Sequence, residues 1–341
     1  MRLIKTEDAV GHVLCHDMTQ IIKDQYKDAR FRKGHVVTEE DIPVLLSMGK
    51  EHLYVWEMTS GMVHENDAAE RLLALCGQEN MIRSGVKEGK IELKAACDGV
   101  FLVDSARLVA VNSQDEVMIA TRKGGMAVRE GDKLAGMRVI PLIIEEEKLR
   151  KAEQAAGDKP LLSLKPYVRK TACIVATGGE VKKGLIKDTF TPVVIDKLKT
   201  YGIETLEVVY SGDGVENVRD AVLTMREKKP DMILCTGGMS VDPDDPTPSA
   251  IKQTGAEVVS YGAPVLPGAM FLLSYLEDGT PVMGLPGCVM YAKATVFDLV
   301  LPRIIAGIEV TKKDLAHMGN GGFCLGCKEC HYPNCCFGKG V

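Results

Sequence analysis

The chain has 341 residues, enough for two or three domains, with 45% apolar and 26% charged residues. A net charge of −5, from 42 basic and 47 acidic side chains, argues against a nucleic-acid binder, which carries a basic excess or stripe. The run Met1-Arg2-Leu3-Ile4-Lys5-Thr6-Glu7-Asp8 reaches charge before any apolar stretch forms, and nothing approaches the roughly 20 apolar residues of a membrane span. A cytoplasmic protein with no membrane anchor is expected.

Residues 1–60 are expected to form an α+β module. Thr38-Glu39-Glu40-Asp41 starts a helix over 42–48, Gly49 closes it, and Leu53-Tyr54-Val55-Trp56 reads as a strand. Residues 61–150 form a second, β-rich module with a connecting helix. Ala68, Leu72, Leu73 and Cys76 give helical periodicity over 65–76, which stops at Gly77. Strand-like runs follow at 91–95, 99–103, 117–120 and 137–140. Residues 145–156 are strong helix formers with little apolar face, stopped by Gly157-Asp158-Lys159-Pro160. They read equally as a connector ahead of an independent domain or as a solvated helix of the preceding module.

Over residues 170–310 strands and helices alternate: strand 172–176, helix 188–201, strand 203–210, helix 215–228 and strand 232–235. That rhythm predicts an α/β domain, a mostly parallel sheet with helices on both faces, whose ligand sits beyond the carboxyl ends of the strands. Three strand ends carry glycine and acid: Thr177-Gly178-Gly179-Glu180 with Asp188 downstream, Ser211-Gly212-Asp213-Gly214, and Thr236-Gly237-Gly238-Met239-Ser240 running into Asp242, Asp244 and Asp245. Glycine lets backbone approach a ligand, and N–H groups near a helix start suit phosphate. Carboxylates beside phosphate need a hard cation between them, so Mg²⁺ is expected. Each loop alone is an ordinary turn; three at the ends of one sheet make a site.

Gly237, Gly238, Ser240, Asp245 and Thr247 resemble the Gly-Gly-x-Ser-x-x-x-x-Asp-x-Thr signature of the molybdopterin-binding domains of molybdenum-cofactor biosynthesis proteins. Thr177-Gly178-x-Glu180, Gly184-x-Ile186-x-Asp188, Asp213 with Arg219, Pro267-Gly268 and Leu285-Pro286-Gly287 resemble further motifs of that family, the last opening a helix from Val289 onward. A likeness running from Phe31-Arg32-Lys33-Gly34 to Val55 favours its MoeA-type branch, which inserts molybdate into adenylated molybdopterin and releases AMP, over the MogA-type branch, which adenylates molybdopterin. The resemblance implies that Asp188, Asp213 and Asp245 are catalytic, holding Mg²⁺ or orienting molybdate and the pyrophosphate link; Asp242 and Asp244 are extra carboxylates that, with Asp245, are expected to strengthen the metal site. It implies that Thr177, Gly178, Glu180, Thr236, Gly237, Gly238, Ser240, Pro267, Gly268, Pro286 and Gly287 bind molybdopterin. It also implies a homo-oligomer that serves a client molybdoenzyme or another cofactor-biosynthesis protein. The chain departs from the family at Gly179 (usually Asp), at Thr189-Phe190 (Ser-Asn), at Asp242 (Gly in MoeA-type proteins) and at Cys288-Val289 (Asn-Pro). The family's Met-Asp-Gly-Tyr-Ala motif is absent from residues 1–150. A non-catalytic binding or delivery protein therefore stays open beside the enzyme.

Of the 11 cysteines, Cys15, Cys76, Cys97, Cys173, Cys235 and Cys288 are scattered, several inside apolar runs. The others crowd into residues 319–341 as Cys324-x2-Cys327-x2-Cys330-His331-x3-Cys335-Cys336. Thiolates at this spacing wrap Zn²⁺ or an iron–sulfur cluster, with Cys324, Cys327, Cys330 and Cys335 as the ligands. Oxidisable thiols without metal, or a docking element, are the other readings. Flanking glycines predict a flexible arm. His12, His16, His35, His52 and His64 lack ligand spacing and read as structural, Trp56 as a core residue, and Lys182, Lys183 and Lys187 as a solvated loop.

Overall fold

The computed structural model describes residues 2–22, 26–55, 61–239 and 245–340. Trp56, Ser240, Asp242 and Asp244 lie outside the described residues, so what was expected of them stays as expectation. The chain divides into two compact units, the first built from residues 1–97, 102–124 and 130–164, the second from 98–101, 125–129 and 165–341. The expected boundary at 60/61 thus falls inside the first unit, and the cysteine-rich segment falls inside the second.

In the first unit, strand Arg2–Lys5 pairs antiparallel with His52–Val55, and Met18–Ile22 with Tyr26–Phe31. Helix Asp41–Ser47 closes a small core of Leu14, Phe31, Leu45 and Leu53. Helix Glu65–Cys76 buries Ala68, Ala69, Leu72, Leu73 and Cys76, the face its periodicity predicts, and ends at Gly77 with φ +70°. The strands at Met81–Arg83, Ile91–Ala95, Lys133–Val139 and Val117–Thr121 form one antiparallel sheet in that order. A helix at Ser105–Asn112 was not expected. Its run Leu108-Val109-Ala110-Val111 favours a strand, but Asp104 caps it by accepting the Arg107 N–H at 3.0 Å, and local capping outweighs residue preference. Helix Glu146–Ala156 buries Leu149, Ala152 and Ala156 and pairs with Arg71 through Glu146 at 2.9 Å and Glu153 at 2.7 Å. It is a packed helix of the first unit rather than a free connector.

The second unit holds strands β1 (Thr171–Thr177), β2 (Glu204–Ser211), β3 (Met232–Thr236), β4 (Glu257–Tyr261), β5 (Leu272–Tyr275) and β6 (Pro281–Leu285). Its helices are α1 (Thr191–Lys199), α2 (Val215–Glu227), α3 (Thr247–Gln253), α4 (Val296–Ile305) and α5 (Lys312–His317). The six strands form one sheet in the order β2-β1-β3-β6-β5-β4. The first four of that order are mutually parallel; β5 runs antiparallel to both β6 and β4. This is the predicted mostly parallel α/β sheet.

Alternation along the strands assigns the two faces. Ile174, Leu234 and Met283 face a core shared with α1, α4 and α5, while Val175, Cys235 and Val282 face one shared with α2 and α3. Parallel strands buried on both faces must be continuously apolar, which is why Met232-Ile233-Leu234-Cys235 carries no polar residue. The helix expected from Val289 begins instead at Val296. Gly287–Met290 is a single 3₁₀ turn, and Thr295 with Asp298 forms a capping box that starts α4. Among the described residues, no helix is long and apolar enough to cross a membrane.

Candidate functional site

Register places the expected loops together. Thr177 pairs with Ser211, Ala176 with Thr236, and Thr236 with Leu285, so the loops after β1, β2, β3 and β6 leave the same edge of the sheet. β4 runs parallel to β6, which brings the β4–β5 connection carrying Pro267-Gly268 to that edge as well. Pro286 and Gly287 follow β6 there directly.

The loop after β3 is tied down by two threonines. The Thr177 hydroxyl donates to the Thr236 carbonyl at 2.9 Å, and the Thr247 hydroxyl donates to the Gly237 carbonyl at 2.9 Å. Gly237 (φ +82°) and Gly238 (φ +57°) hold left-handed backbone, and a Cβ on Gly237 would stand 2.6 Å from the Thr177 carbonyl oxygen. Only glycine fits there without strain. Thr247 belongs to the signature but was not singled out as a site residue. A buried threonine ten positions downstream that ties the glycine turn is legible only once the loop is closed.

Asp213 and Gly179 meet directly. The Gly179 N–H donates to Asp213 Oδ1 at 2.9 Å, and a Cβ on Gly179 would overlap Asp213 Oδ2. The residue that replaces the family's aspartate therefore makes room for a carboxylate from the neighbouring strand end. Glu180, next along the single helical turn Gly179–Lys182, is exposed, and Lys182 leans over Gly212 with its Nζ 3.8 Å from where a Cβ would lie.

Asp188 stands just ahead of α1 and accepts the N–H groups of Phe190 at 2.9 Å and Thr191 at 3.0 Å through Oδ1. Helix α1 consequently starts three residues later than the periodicity suggests, because Asp188 caps it instead of entering it. Asp188 Oδ2 and Thr191 Oγ1 are buried without a hydrogen-bond partner. Burial alone would raise the Asp188 carboxyl, but the Thr191 and Phe190 amides bonded to it, with the Thr191 and Tyr210 hydroxyls close by outside hydrogen-bond geometry, hold it below its ordinary value. Burial and the Asp188 charge together raise Tyr210. Tyr210, on β2, carried no sequence signal beyond its place at a strand end. The Thr189 hydroxyl meets Met290 Sδ at 3.2 Å, linking the Asp188 loop to the turn after β6. A carboxylate oxygen and a hydroxyl, both orphaned and buried at the ligand edge, suit a cation or a donor group on a ligand.

Asp245 is half-buried beside Tyr261, whose pKa is raised by burial and then by the Asp245 charge. Among the described residues no three His, Cys, Asp or Glu side chains are grouped as a metal site. Asp188, Asp213 and Asp245 therefore share an edge of the sheet without converging on one point. Pro267 and Gly268 pack on the start of α4: the Val296 N–H donates to the Pro267 carbonyl at 3.2 Å, and a Cβ on Gly268 would stand 2.6 Å from Val296 Cγ1. They shape this corner through backbone packing.

With this arrangement in view, residues 173–306 match a protein family described as a probable molybdopterin binding domain. Residues 3–57 match a second family, described as a domain of unknown function. Over 216 residues the chain is 22% identical to a molybdopterin molybdenumtransferase of Synechococcus elongatus, covering 60% of this chain and 51% of that one. It is 30% identical over 83 residues to a CinA-like protein of Petrotoga mobilis, covering 24% of this chain and 20% of the other. The chain thus spans about half of the first relative's length and a fifth of the second's. Solved structures similar to it include a molybdopterin biosynthesis enzyme, MoaB, of Thermus thermophilus, with 18% identity and a TM-score of 0.34 over 40% of this chain and 97% of that one. Another is a molybdenum cofactor biosynthesis protein of Pyrococcus furiosus, with 13% identity and a TM-score of 0.27 over 91% of this chain and 66% of that one.

The cysteine-rich segment is not the expected flexible arm; it is docked on the sheet domain of the second unit. Phe323 bridges Leu266, the Cys324 N–H donates to the Leu266 carbonyl at 2.8 Å, and the Tyr332 hydroxyl donates to the Asp298 carbonyl at 3.0 Å. Phe337, 2% exposed, joins the core beside α4. Aromatic burial of this size outweighs the freedom that the glycines confer.

Proposed function

We propose that the protein acts in molybdenum-cofactor biosynthesis by binding molybdopterin or its adenylate at the carboxyl edge of the β2-β1-β3-β6 sheet and inserting molybdate, with release of AMP. The observation that carries this reading is the convergence of the Thr177–Glu180, Asp188, Asp213, Gly237–Gly238 and Asp245 loops at one sheet edge. The glycine turn after β3, held open by Thr177 and Thr247, offers backbone N–H groups to a phosphate, with Ser240 beside it in sequence. Asp188 keeps one carboxylate oxygen unspent, and its lowered pKa keeps it ionised at neutral pH. Asp245, with Asp242 and Asp244 beside it in sequence, would hold Mg²⁺, which when bound offsets charge on the phosphate and molybdate oxygens, while Asp188 would orient the ligand from its own loop. Tyr210 orients Asp188, and Lys182 adds a cation near the Asp213 loop to draw in an anionic substrate. Asp213, spent on the Gly179 amide, fixes the turn after β1 rather than contacting the reacting atoms.

A second reading, a binding or delivery module without turnover, is favoured by two features: residues 1–150 lack the Met-Asp-Gly-Tyr-Ala motif, and Gly179 replaces an aspartate. The test follows AMP release from adenylated molybdopterin with molybdate and Mg²⁺. Release above the uncatalysed rate, abolished by Asp188→Asn, supports insertion. Intact pterin binding without AMP release sinks the enzyme reading and leaves the module.

A further inference from the structure

We propose that the cysteine-rich segment is a thiolate-ligated metal centre, set at the ligand edge of the domain and independent of the molybdopterin reading. Cys324, Cys327, Cys330, His331, Cys335 and Cys336 all line one cavity of about 270 Å³. The rest of its wall is mostly apolar, from side chains such as Pro267, Leu325 and Phe337, with Lys293 as the one further charged group among the described residues. All of these thiols are free. Soft thiolates gathered in an apolar recess, beside an ammonium that offsets their negative charge, are the environment a thiophilic ion or cluster requires.

The anchoring shows how such a centre would be assembled. Both ends of the segment are fixed, by the Leu266 bridge and the Tyr332–Asp298 bond and by the Gly338 N–H donating to the Gly321 carbonyl at 2.9 Å. Cys324 and Cys335 are half-buried against the core, whereas Cys327 and Cys330 are exposed on a stretch that has neither helix nor strand. Because no three candidate ligands are grouped as a metal site among the described residues, binding must draw Cys327 and Cys330 inward onto the two anchored thiols. Short irregular segments with small cores are commonly held by such a staple. The cavity shares Pro267 with the β4–β5 connection, one of the loops at the sheet edge that carries the candidate ligand site.

A single zinc ion and an iron–sulfur cluster use the same thiolate chemistry, and two titrations separate them. The full chain, purified without oxygen in the presence of a thiol reductant, is titrated with Zn²⁺ in one arm and with Fe³⁺ plus sulfide in the other, the thiol supplying any electrons the cluster takes up. Metal content and the visible absorption spectrum are then measured. The expected result is one ion or one cluster retained per chain, with a raised Tm. Cys327→Ser and Cys330→Ser should each weaken retention tenfold or more, since losing even an outer-shell partner of a ligand costs on the order of 10–100-fold. Both positions are exposed, so far-UV circular dichroism should be unchanged and Cys97→Ser should retain metal fully. Retention in neither arm, retention that survives both substitutions, or disulfide formation in place of metal uptake would overturn the proposal.

Discussion

Replacing Gly179 by alanine sets a clash against a propensity gain, and the structure says which wins. The three atoms nearest to a Cβ at Gly179 all belong to Asp213, and φ there is not left-handed, so the backbone itself accepts alanine. The new methyl must push the carboxylate off the Gly179 N–H, losing a partly buried hydrogen bond of 2.9 Å that is worth about 1 kcal/mol. Alanine in the helical turn Gly179–Lys182 returns roughly 0.5–1 kcal/mol. Gly179→Ala should therefore be near neutral or mildly destabilising, and Asp213→Ala should cost about 1 kcal/mol. In the Asp213→Ala background the clash is gone, and the same Gly179→Ala substitution should stabilise. Urea unfolding of the wild type, both single variants and the double variant measures this as a coupling energy on the order of 1 kcal/mol. Additivity within about 0.5 kcal/mol would refute the claim that Asp213 fills the space left by Gly179.

Asp188→Asn keeps the Oδ1 acceptor that caps α1, so stability should hardly move while AMP release is lost; Asp188→Ala should lose both, with about 1 kcal/mol of helix stability. His64 and His16 have pKa values lowered first by burial, so each is neutral in the folded state. Their contribution is present above the unfolded value of about 6.5 and is lost as pH falls through the folded values. His64 accepts the Asn66 N–H at 3.2 Å to cap its helix and donates to the Cys15 carbonyl at 2.6 Å, an arrangement that protonation breaks. The Tm of the first unit should drop below about pH 6.5, and His64→Gln should flatten that dependence; an unchanged slope would count against it. Phe337→Ala removes a buried ring worth on the order of 3–5 kcal/mol and should free residues 319–340, read as faster hydrogen exchange there with the sheet still protected.

What was legible in the sequence follows the range of the forces involved. Strands β1, β2 and β3 and helix α2 announced themselves through apolar runs and glycine stops, because burial on both sheet faces leaves no polar alternative. The helix at Glu65–Cys76 did so through its spacing. The three acidic glycine turns were readable as strand ends, and the register brings them to one edge. Local capping was harder to see: Asp188 and Thr295 each reset a helix start that periodicity alone misplaced, and Asp104 starts a helix that periodicity did not reveal. Tertiary pairings left no local trace. Neither the meeting of Asp213 with Gly179 nor the docking of Phe337 and Tyr332 on the domain can be read from neighbours in the chain, since each joins segments 34 residues apart or more.

The proposed site seats the pterin phosphate on the glycine turn after β3. Thr247→Val keeps the size of a buried side chain and removes the hydroxyl that donates to the Gly237 carbonyl. Losing that bond, worth about 0.5–1.5 kcal/mol, should weaken molybdopterin binding by up to about tenfold if the turn must be held in place to bind. Anaerobic titration of the full chain with molybdopterin measures this directly. Saturable binding to the wild type with that loss in Thr247→Val is the predicted result. No binding to the wild type, or equal affinity in the variant, would contradict the site.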